Sequence, residues 1–136
     1  MAVFKDPKKL ADHIRKALDA QVAATLISVQ SELSSKAVSP YDEGRFRSSW
    51  FAAEGTPSRD VAPEGADSPN TDATGLRVDS RKDYYLSNSL PYSQAVTVGE
   101  RVVSQPKTWW KDFRSSRIPK IQAEAAKQVK QQFDLD

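Results

Sequence analysis

The sequence contains no cysteine among its 136 residues. That absence excludes a disulfide framework, a thiol nucleophile and zinc sites built from cysteine. Histidine occurs once, as His13, so a transition-metal site has too few nitrogen and sulfur ligands. With only 5 glycines, the chain has neither a glycine-rich phosphate loop nor a Gly-x-Ser-x-Gly elbow. Its serines lack a base to activate them. We therefore expect no enzyme, no metal site and no cofactor.

Long apolar runs are also missing. The longest apolar-rich stretch, 22–29, is interrupted by Thr25 and Ser28, so no membrane span is expected. The first residues lack the apolar run of a signal peptide, and we expect a soluble protein made in the cytosol. The hydrophobic fraction of 38% and the mean hydropathy of -0.62 are low for a globular protein. A single domain over 1–136 would have a thin core, which favours burial shared between copies in a homo-oligomer.

The net charge is nearly balanced, at +2 from 20 basic and 18 acidic residues. No strong overall field therefore drives non-specific binding to nucleic acid. Basic residues are in excess over 1–36 and 100–136, whereas acidic residues are in excess over 54–83. This layout suits head-to-tail contact between copies, although solvated faces would produce the same mild asymmetry.

Two apolar stripes predict long helices near the two ends of the chain. Asp6 is a good helix cap and Pro7 suits the first helical position, so the first helix should run from Pro7 to Ser34. The stripe that predicts it has apolar residues three or four apart: Leu10, Ile14, Leu18, Val22, Leu26, Val29 and Leu33. A second stripe, restarted by Pro119, predicts a C-terminal helix over 119–133.

Between these helices the pattern changes to short elements. Strands are predicted at Trp50–Glu54, Leu76–Asp79 and Lys82–Asn88, with short helices from Asp42 or Glu43 to Ser49 and from Pro91 to Gly99. The acidic stretch 55–75 is an irregular loop. It is either a mobile excursion or an arm that orders on a neighbouring subunit or a lumen wall. We expect an α+β fold in which long N- and C-terminal helices pack on a small antiparallel sheet.

An aromatic patch precedes the last helix, formed by Trp109, Trp110 and Phe113. Lysines and arginines follow it as far as Lys130, and aromatic and basic residues together can bind single-stranded nucleic acid. Acidic residues dilute the patch, and a solvated basic helix face is the alternative interpretation.

Arg45 and Arg47 have two interpretations. They are surface charges beside a core pair, Phe46 and Trp50, or bidentate anchors for carboxylates of a neighbouring subunit. Gly44 permits a backbone geometry closed to other residues, or close packing. We expect the aromatic residues to fold the domain and at least one arginine to serve an interface.

Two segments carry a family resemblance. Residues 42–50, Asp-Glu-Gly-Arg-Phe-Arg-Ser-Ser-Trp, resemble the D-x-G-x-(L/F)-R-x-S signature of the tail-completion, or head–tail joining, proteins of tailed bacteriophages. Residues 86–99 resemble that family's (V/L)-x-N-x-x-P-Y-A-x-x-V-E-x-G, with Ser93 in place of alanine and Thr97 in place of glutamate. The resemblance assigns interface or packing roles to eight residues of the two segments: Gly44, Arg45, Arg47, Ser48, Asn88, Pro91, Tyr92 and Gly99.

The resemblance implies a non-enzymatic virion protein that forms a ring, expected to be a hexamer, at the head–tail junction. Its partners would be the head connector and a tail terminator or tail tube protein, and DNA would pass through the lumen without sequence-specific binding. We expect assembly in the host cytoplasm. Acidic loops avoid adhesion to DNA phosphates, so 55–75 should face the channel or the adjoining ring. The alternatives are a tail terminator that caps the tail tube, and a small nucleic-acid-binding protein using 109–130.

Overall fold

The computed structural model describes residues 5–40, 44–99 and 105–135. Its first helix, α1, covers Pro7–Leu33. The Asp6 carboxylate caps it by accepting the Lys8 N–H at 2.9 Å, and Pro7 occupies the first turn. Ser34 follows the helix as its C-terminal cap. The predicted helix and both of its boundaries are therefore confirmed.

The remaining elements are short until the last helix. They are α2 (Arg45–Ser48), β1 (Trp50–Glu54), a 3-10 turn (Asp72–Gly75), β2 (Tyr84–Asn88), α3 (Ser93–Thr97), α4 (Trp109–Asp112), a π turn (Phe113–Arg117) and α5 (Ile118–Gln132). Asp42 and Glu43, the predicted start of the second helix, lie outside the described residues.

The sheet has two antiparallel strands, with Trp50 opposite Asn88 and Glu54 opposite Tyr84. The predicted α+β class is confirmed. The strand predicted at Leu76–Asp79 is wrong, because no strand of the described residues pairs with this segment. A turn follows it, in which the Lys82 N–H donates to the Asp79 carbonyl at 2.9 Å.

The C-terminal helix begins earlier than predicted. We expected Pro119 to restart a helix, but α4, the π turn and α5 follow one another without a break from 109 to 132. The Ile118 N–H donates to the Phe113 carbonyl, five residues back. Pro119 has no backbone N–H and therefore cannot donate a hydrogen bond within the helix. The wider π turn accommodates the proline inside one continuous helical path.

Helix α1 is the centre of the packing. The sheet, the 3-10 turn and α5 all pack against it. The core joins residues from almost every element: Val29, Leu33, Phe46, Trp50, Leu90, Val96, Trp109, Phe113 and Ile121.

Among the described residues, no helix combines the length and the apolar character needed to cross a bilayer.

Candidate assembly surfaces

Arg47 is buried at the centre of the first motif, with 7% of its surface exposed. Its Nε donates to the Asp67 carboxylate at 2.9 Å, and its two terminal nitrogens donate to the carbonyls of Ser34 and Asp67 at 2.8 and 2.9 Å. Charge-assisted bonds in a buried site are strong and orienting. Arg47 thus has a carboxylate partner in its own chain, whereas the interface interpretation of the two arginines placed such partners on a neighbouring subunit.

Gly44 makes room for this ion pair. Its φ is 86°, a left-handed conformation that side chains other than glycine rarely adopt. A Cβ at this position would collide with the Asp67 carboxylate. The glycine of the motif therefore provides both the turn into α2 and the space in which Asp67 meets Arg47.

The 55–75 loop is tied to α2 and the residue that follows it. Arg45 Nε donates to the Ala62 carbonyl at 2.8 Å, and the Ala62 N–H donates to Ser49 Oγ at 3.0 Å. Ser48 Oγ accepts the Ser68 N–H at 2.9 Å and donates to the Ser68 carbonyl at 2.7 Å. These bonds are intramolecular, so the loop is ordered by its own chain rather than extending as a mobile excursion.

Gln30 is a structural residue that the sequence analysis missed. It is 1% exposed, and its side-chain amide donates to the Trp50 carbonyl and the Asp72 carboxylate while accepting the Ala73 N–H at 2.9 Å. The sequence did contain a sign of this role, because Gln30 is a polar residue that directly follows Val29 in the apolar stripe that continues to Leu33. Its amide joins α1, β1 and the 3-10 turn.

The second motif meets the first through Asn88. Its Nδ2 donates to the Phe46 carbonyl at 2.8 Å, although the two residues are 42 positions apart. Pro91 is exposed in the turn before α3, and Tyr92 packs against the core. Gly99 ends this region with a φ of 87°, and a Cβ there would lie 2.6 Å from the Lys107 carbonyl oxygen.

The aromatic patch belongs to the core. Trp109 and Phe113 are each 4% exposed, and the Trp109 indole N–H donates to the Val96 carbonyl at 3.0 Å. Trp110 is half-buried and stacks on Trp50, with ring centroids 5.5 Å apart. Buried rings are unavailable for stacking on bases. This geometry removes most of the surface on which the nucleic-acid alternative depends.

His13 connects the two long helices. Its Nε2 lies 2.7 Å from the Phe133 carbonyl oxygen, and the two rings meet edge-on with centroids 5.5 Å apart. This is a packing position between α1 and the end of α5.

The N-terminal half of α1 presents an exposed apolar face, formed by Leu10, Ile14 and Leu18. These side chains are 41%, 43% and 49% exposed and lie one above another, four residues apart. The face leads at Leu18 into a groove of about 970 Å³ between α1 and β2. Contiguous exposed apolar surface of this kind is a candidate site of interaction.

The two outer edges of the sheet differ beside this groove. Along β1, the Ala52 N–H donates to the Asp72 carboxylate at 3.1 Å, and the Trp50 carbonyl accepts the Gln30 amide. Along β2, the register turns the N–H and C=O of Leu86 outward, and in the described part of the chain neither has a hydrogen-bond partner. The outward-facing backbone groups of β1 are therefore bonded to side chains of the same chain, whereas those of Leu86 in β2 face the groove without a partner in the described residues.

In comparisons with known proteins, no family model, no curated protein and no solved structure matches this chain.

Proposed function

We propose that the protein is a structural component of a tailed bacteriophage particle. Copies form a ring, expected to be a hexamer, that joins the head connector to the tail and leaves a channel for DNA. The proposal starts from the resemblance of 42–50 and 86–99 to the tail-completion, or head–tail joining, family.

One observation carries the proposal furthest: the two resembling segments form a single unit in the fold. The bond from Asn88 Nδ2 to the Phe46 carbonyl, at 2.8 Å, joins them directly. Their strands also pair, with Trp50 opposite Asn88. Motif residues that meet across 42 positions are what a shared architecture requires, whereas chance matches in unrelated loops would have no reason to meet.

The two motif glycines support the same interpretation. Gly44 and Gly99 have φ values of 86° and 87° and both lie against other parts of the chain, which would collide with an added Cβ. A glycine required by backbone geometry is a position that a family signature retains. The matching residues therefore act in turn geometry and packing, and they place the outer surfaces that bind neighbours.

The proposed location follows from the ring. The protein would sit at the head–tail junction of the virion after assembly in the host cytoplasm, with the head connector on one side and a tail terminator or tail tube protein on the other. The acidic 55–75 loop would face the channel or the adjoining ring, because carboxylates repel the phosphates of passing DNA.

Localisation in particles tests the proposal. Virions carrying the protein with a small epitope tag would be labelled with antibody and imaged by electron microscopy, and we expect density only at the head–tail junction. Heads and tails made in separate assembly-blocked infections then distinguish the alternatives: a joining protein is recovered on heads, and a tail terminator on headless tails. Recovery of the protein from infected cells but not from particles would refute both.

A further inference from the structure

The outer edge of β2 has free backbone groups beside the groove. The register of the sheet turns the N–H and C=O of Tyr84 and Leu86 away from β1, and in the described residues these groups have no hydrogen-bond partner. Across the groove, α1 contributes apolar side chains, among them Leu18 and Val22. A helix laid in this groove would cover the strand edge without pairing it, which costs free energy. An extended segment would pair with the edge, so this surface fits an added strand.

Residues 1–4, which lie outside the described residues, have the composition that such a strand needs. They read Met-Ala-Val-Phe, so all four are apolar, and Lys5 follows them directly. Valine and phenylalanine both favour extended structure. The segment therefore matches the apolar groove in character, and it carries one cation at its end.

The charges at the start of β2 are complementary to that cation. Arg81 and Lys82 are already paired with carboxylates of their own chain, at 2.8 and 3.0 Å. Asp83 is exposed and forms no ion pair in the ranges that the structure describes. The β2 edge thus has an available carboxylate at the end where the strand begins.

We propose that residues 1–5 of one copy add to the β2 edge of a neighbouring copy as a third, antiparallel strand. Placing Lys5 opposite Asp83 sets the register, and Val3 then lies opposite Tyr85. Both would be non-hydrogen-bonded pairs, in which side chains approach most closely. Opposite charges are a favourable cross-strand pair, and so is a β-branched residue beside an aromatic one. Tyr85, which is 37% exposed, would be covered by this contact.

The same register satisfies the free backbone groups. Phe4 would lie opposite Tyr84, and Ala2 opposite Leu86, as the two hydrogen-bonded pairs. Because Leu86 packs against the core, the side chains of these pairs lie on the face of the sheet that is turned towards the core, and Phe4 would enter the groove. A shift by one residue would instead turn Lys5 towards the groove.

The segment falls short of the β2 edge of its own chain. Phe4 is three residues from Pro7 and lies at most about 11 Å from it. Helix α1 meets the turn before β2 at Asp19, whose carboxylate accepts the Ser80 N–H at 2.7 Å. Asp19 is about 18 Å from Pro7 along the helix. The contact therefore joins two copies through different surfaces, and such a head-to-tail contact can close a ring. This inference rests on the ring of the proposed function and identifies where its copies meet.

The absence of cysteine allows the contact to be tested by disulfide formation. Val3→Cys and Tyr85→Cys are introduced into separate full-length chains, which are mixed and oxidised. We expect a cross-linked dimer on a non-reducing gel, because a non-hydrogen-bonded pair brings two Cβ atoms within reach of a disulfide. In the control mixture Val98→Cys, at a residue 60% exposed elsewhere, replaces Tyr85→Cys and should give at least tenfold less cross-link. A chain carrying both Val3→Cys and Tyr85→Cys should give a ladder of multimers.

Charge reversal tests the register. Lys5→Glu or Asp83→Lys alone should weaken self-association about fivefold, and a chain carrying both should recover it. Sedimentation velocity of the full chain at low salt, up to millimolar concentration, measures this. Both positions are exposed, so the variants should melt at the wild-type temperature. Lys127→Glu, at an exposed position of α5, is the control and should leave association unchanged.

Three outcomes would overturn the inference. The first is a cross-link no stronger than in the control mixture. The second is a doubly substituted chain that closes its disulfide within one molecule, which would make the contact intramolecular. The third is Tyr85→Cys alone cross-linking as well as the mixture, which would indicate that two β2 edges pair with each other.

The tests of the contact and of the proposed function are independent. A protein found at the head–tail junction without the cross-link would refute the contact alone. A protein that cross-links as expected but is absent from particles would refute the proposed function and leave the contact standing.

Discussion

The two halves of α1 have the same apolar pattern and different surroundings. In the C-terminal half, Leu26, Val29 and Leu33 are buried beneath the sheet and the last helix. In the N-terminal half, Leu10, Ile14 and Leu18 repeat at the same kind of spacing but are 41–49% exposed. The last helix still reaches this half, because His13 contacts Phe133 and Ala17 is buried, but it covers another face of α1 and leaves these three side chains exposed.

The difference separates side chains that stabilise the fold from side chains that are available to a partner, within one helix. A buried leucine contributes to the stability of the monomer, whereas an exposed one contributes only when a partner covers it. We call the part of α1 that holds Leu26, Val29 and Leu33 the covered half, and the face formed by Leu10, Ile14 and Leu18 the uncovered half. Substitutions that are chemically identical should therefore have opposite consequences for stability and for association.

The largest expected effect comes from a matched pair of leucines. Leu33→Ala, in the covered half at 2% exposure, should lower the free energy of unfolding by about 3 kcal/mol, from lost burial and the cavity left behind. Leu18→Ala, in the uncovered half at 49% exposure, should cost less than about 0.5 kcal/mol. Urea denaturation followed by circular dichroism measures both. Equal losses would mean that the uncovered half is in fact part of the folded core.

Two arginines of the motif, separated by Phe46, extend the comparison to polar groups. Arg47→Ala should cost about 3 kcal/mol, because it empties a buried position and removes three hydrogen bonds, to the Asp67 carboxylate and to the carbonyls of Ser34 and Asp67. Arg45→Ala removes one bond from a half-buried side chain, to the Ala62 carbonyl, and should cost about 1 kcal/mol. The same denaturation series checks both, and a reversed order would contradict the burial seen for Arg47.

A pair of glycines isolates the effect of close approach. Gly44 and Gly65 have nearly equal φ values of 86° and 83°, but only Gly44 has atoms where a Cβ would stand. Gly65→Ala should cost about 1 kcal/mol from backbone strain alone. Gly44→Ala should cost about 2 kcal/mol, because Asp67 must also move away from Arg47. Identical melting temperatures of the two variants would show that the space beside Gly44 is not needed.

The smallest effect is expected at the rim of the groove. The Arg81 guanidinium donates to Asp79 at 2.8 Å and holds the pKa of that carboxyl well below its usual range. A lowered pKa in the folded state contributes stability above the unfolded value of 3.8, and this contribution is lost as the pH falls towards the folded value. Asp79→Asn should lower the melting temperature slightly at pH 7, and the difference from wild type should shrink below pH 4. Because the pair is exposed, a large loss at pH 7 would contradict this assignment.

Part of the architecture could be read from local patterns. Asp6, Pro7 and the stripe that follows determine where α1 begins, and the same stripe gives its end near Ser34. The strand at Trp50–Glu54 was predicted with its observed limits. Each of these elements depends on residues within a few positions, and local periodicity records such information directly.

Other features could not be predicted, because their causes are distant in the sequence. Nothing near Arg47 indicates that its carboxylate is Asp67, which lies 20 residues away. The role of Gln30 depends on a bond to Ala73, which is 43 residues away. The extended segment at Leu76–Asp79 has strand-forming residues, but it is not a strand because no second strand runs beside it in the described residues. Whether a polar group or a strand finds a partner is a property of the packed chain.

The sequence by itself determined that α1 is a long amphipathic helix, and that the chain has no cysteine and a single histidine. It also placed the two motif segments in order along the chain. The tertiary structure alone decided which half of α1 is covered, and that Arg47 is used within the chain rather than at its surface. The physical reason is the range of the interactions. A helix forms from contacts three or four residues apart, whereas covering it requires contacts such as Glu32 with Arg117, at 2.6 Å and 85 residues apart.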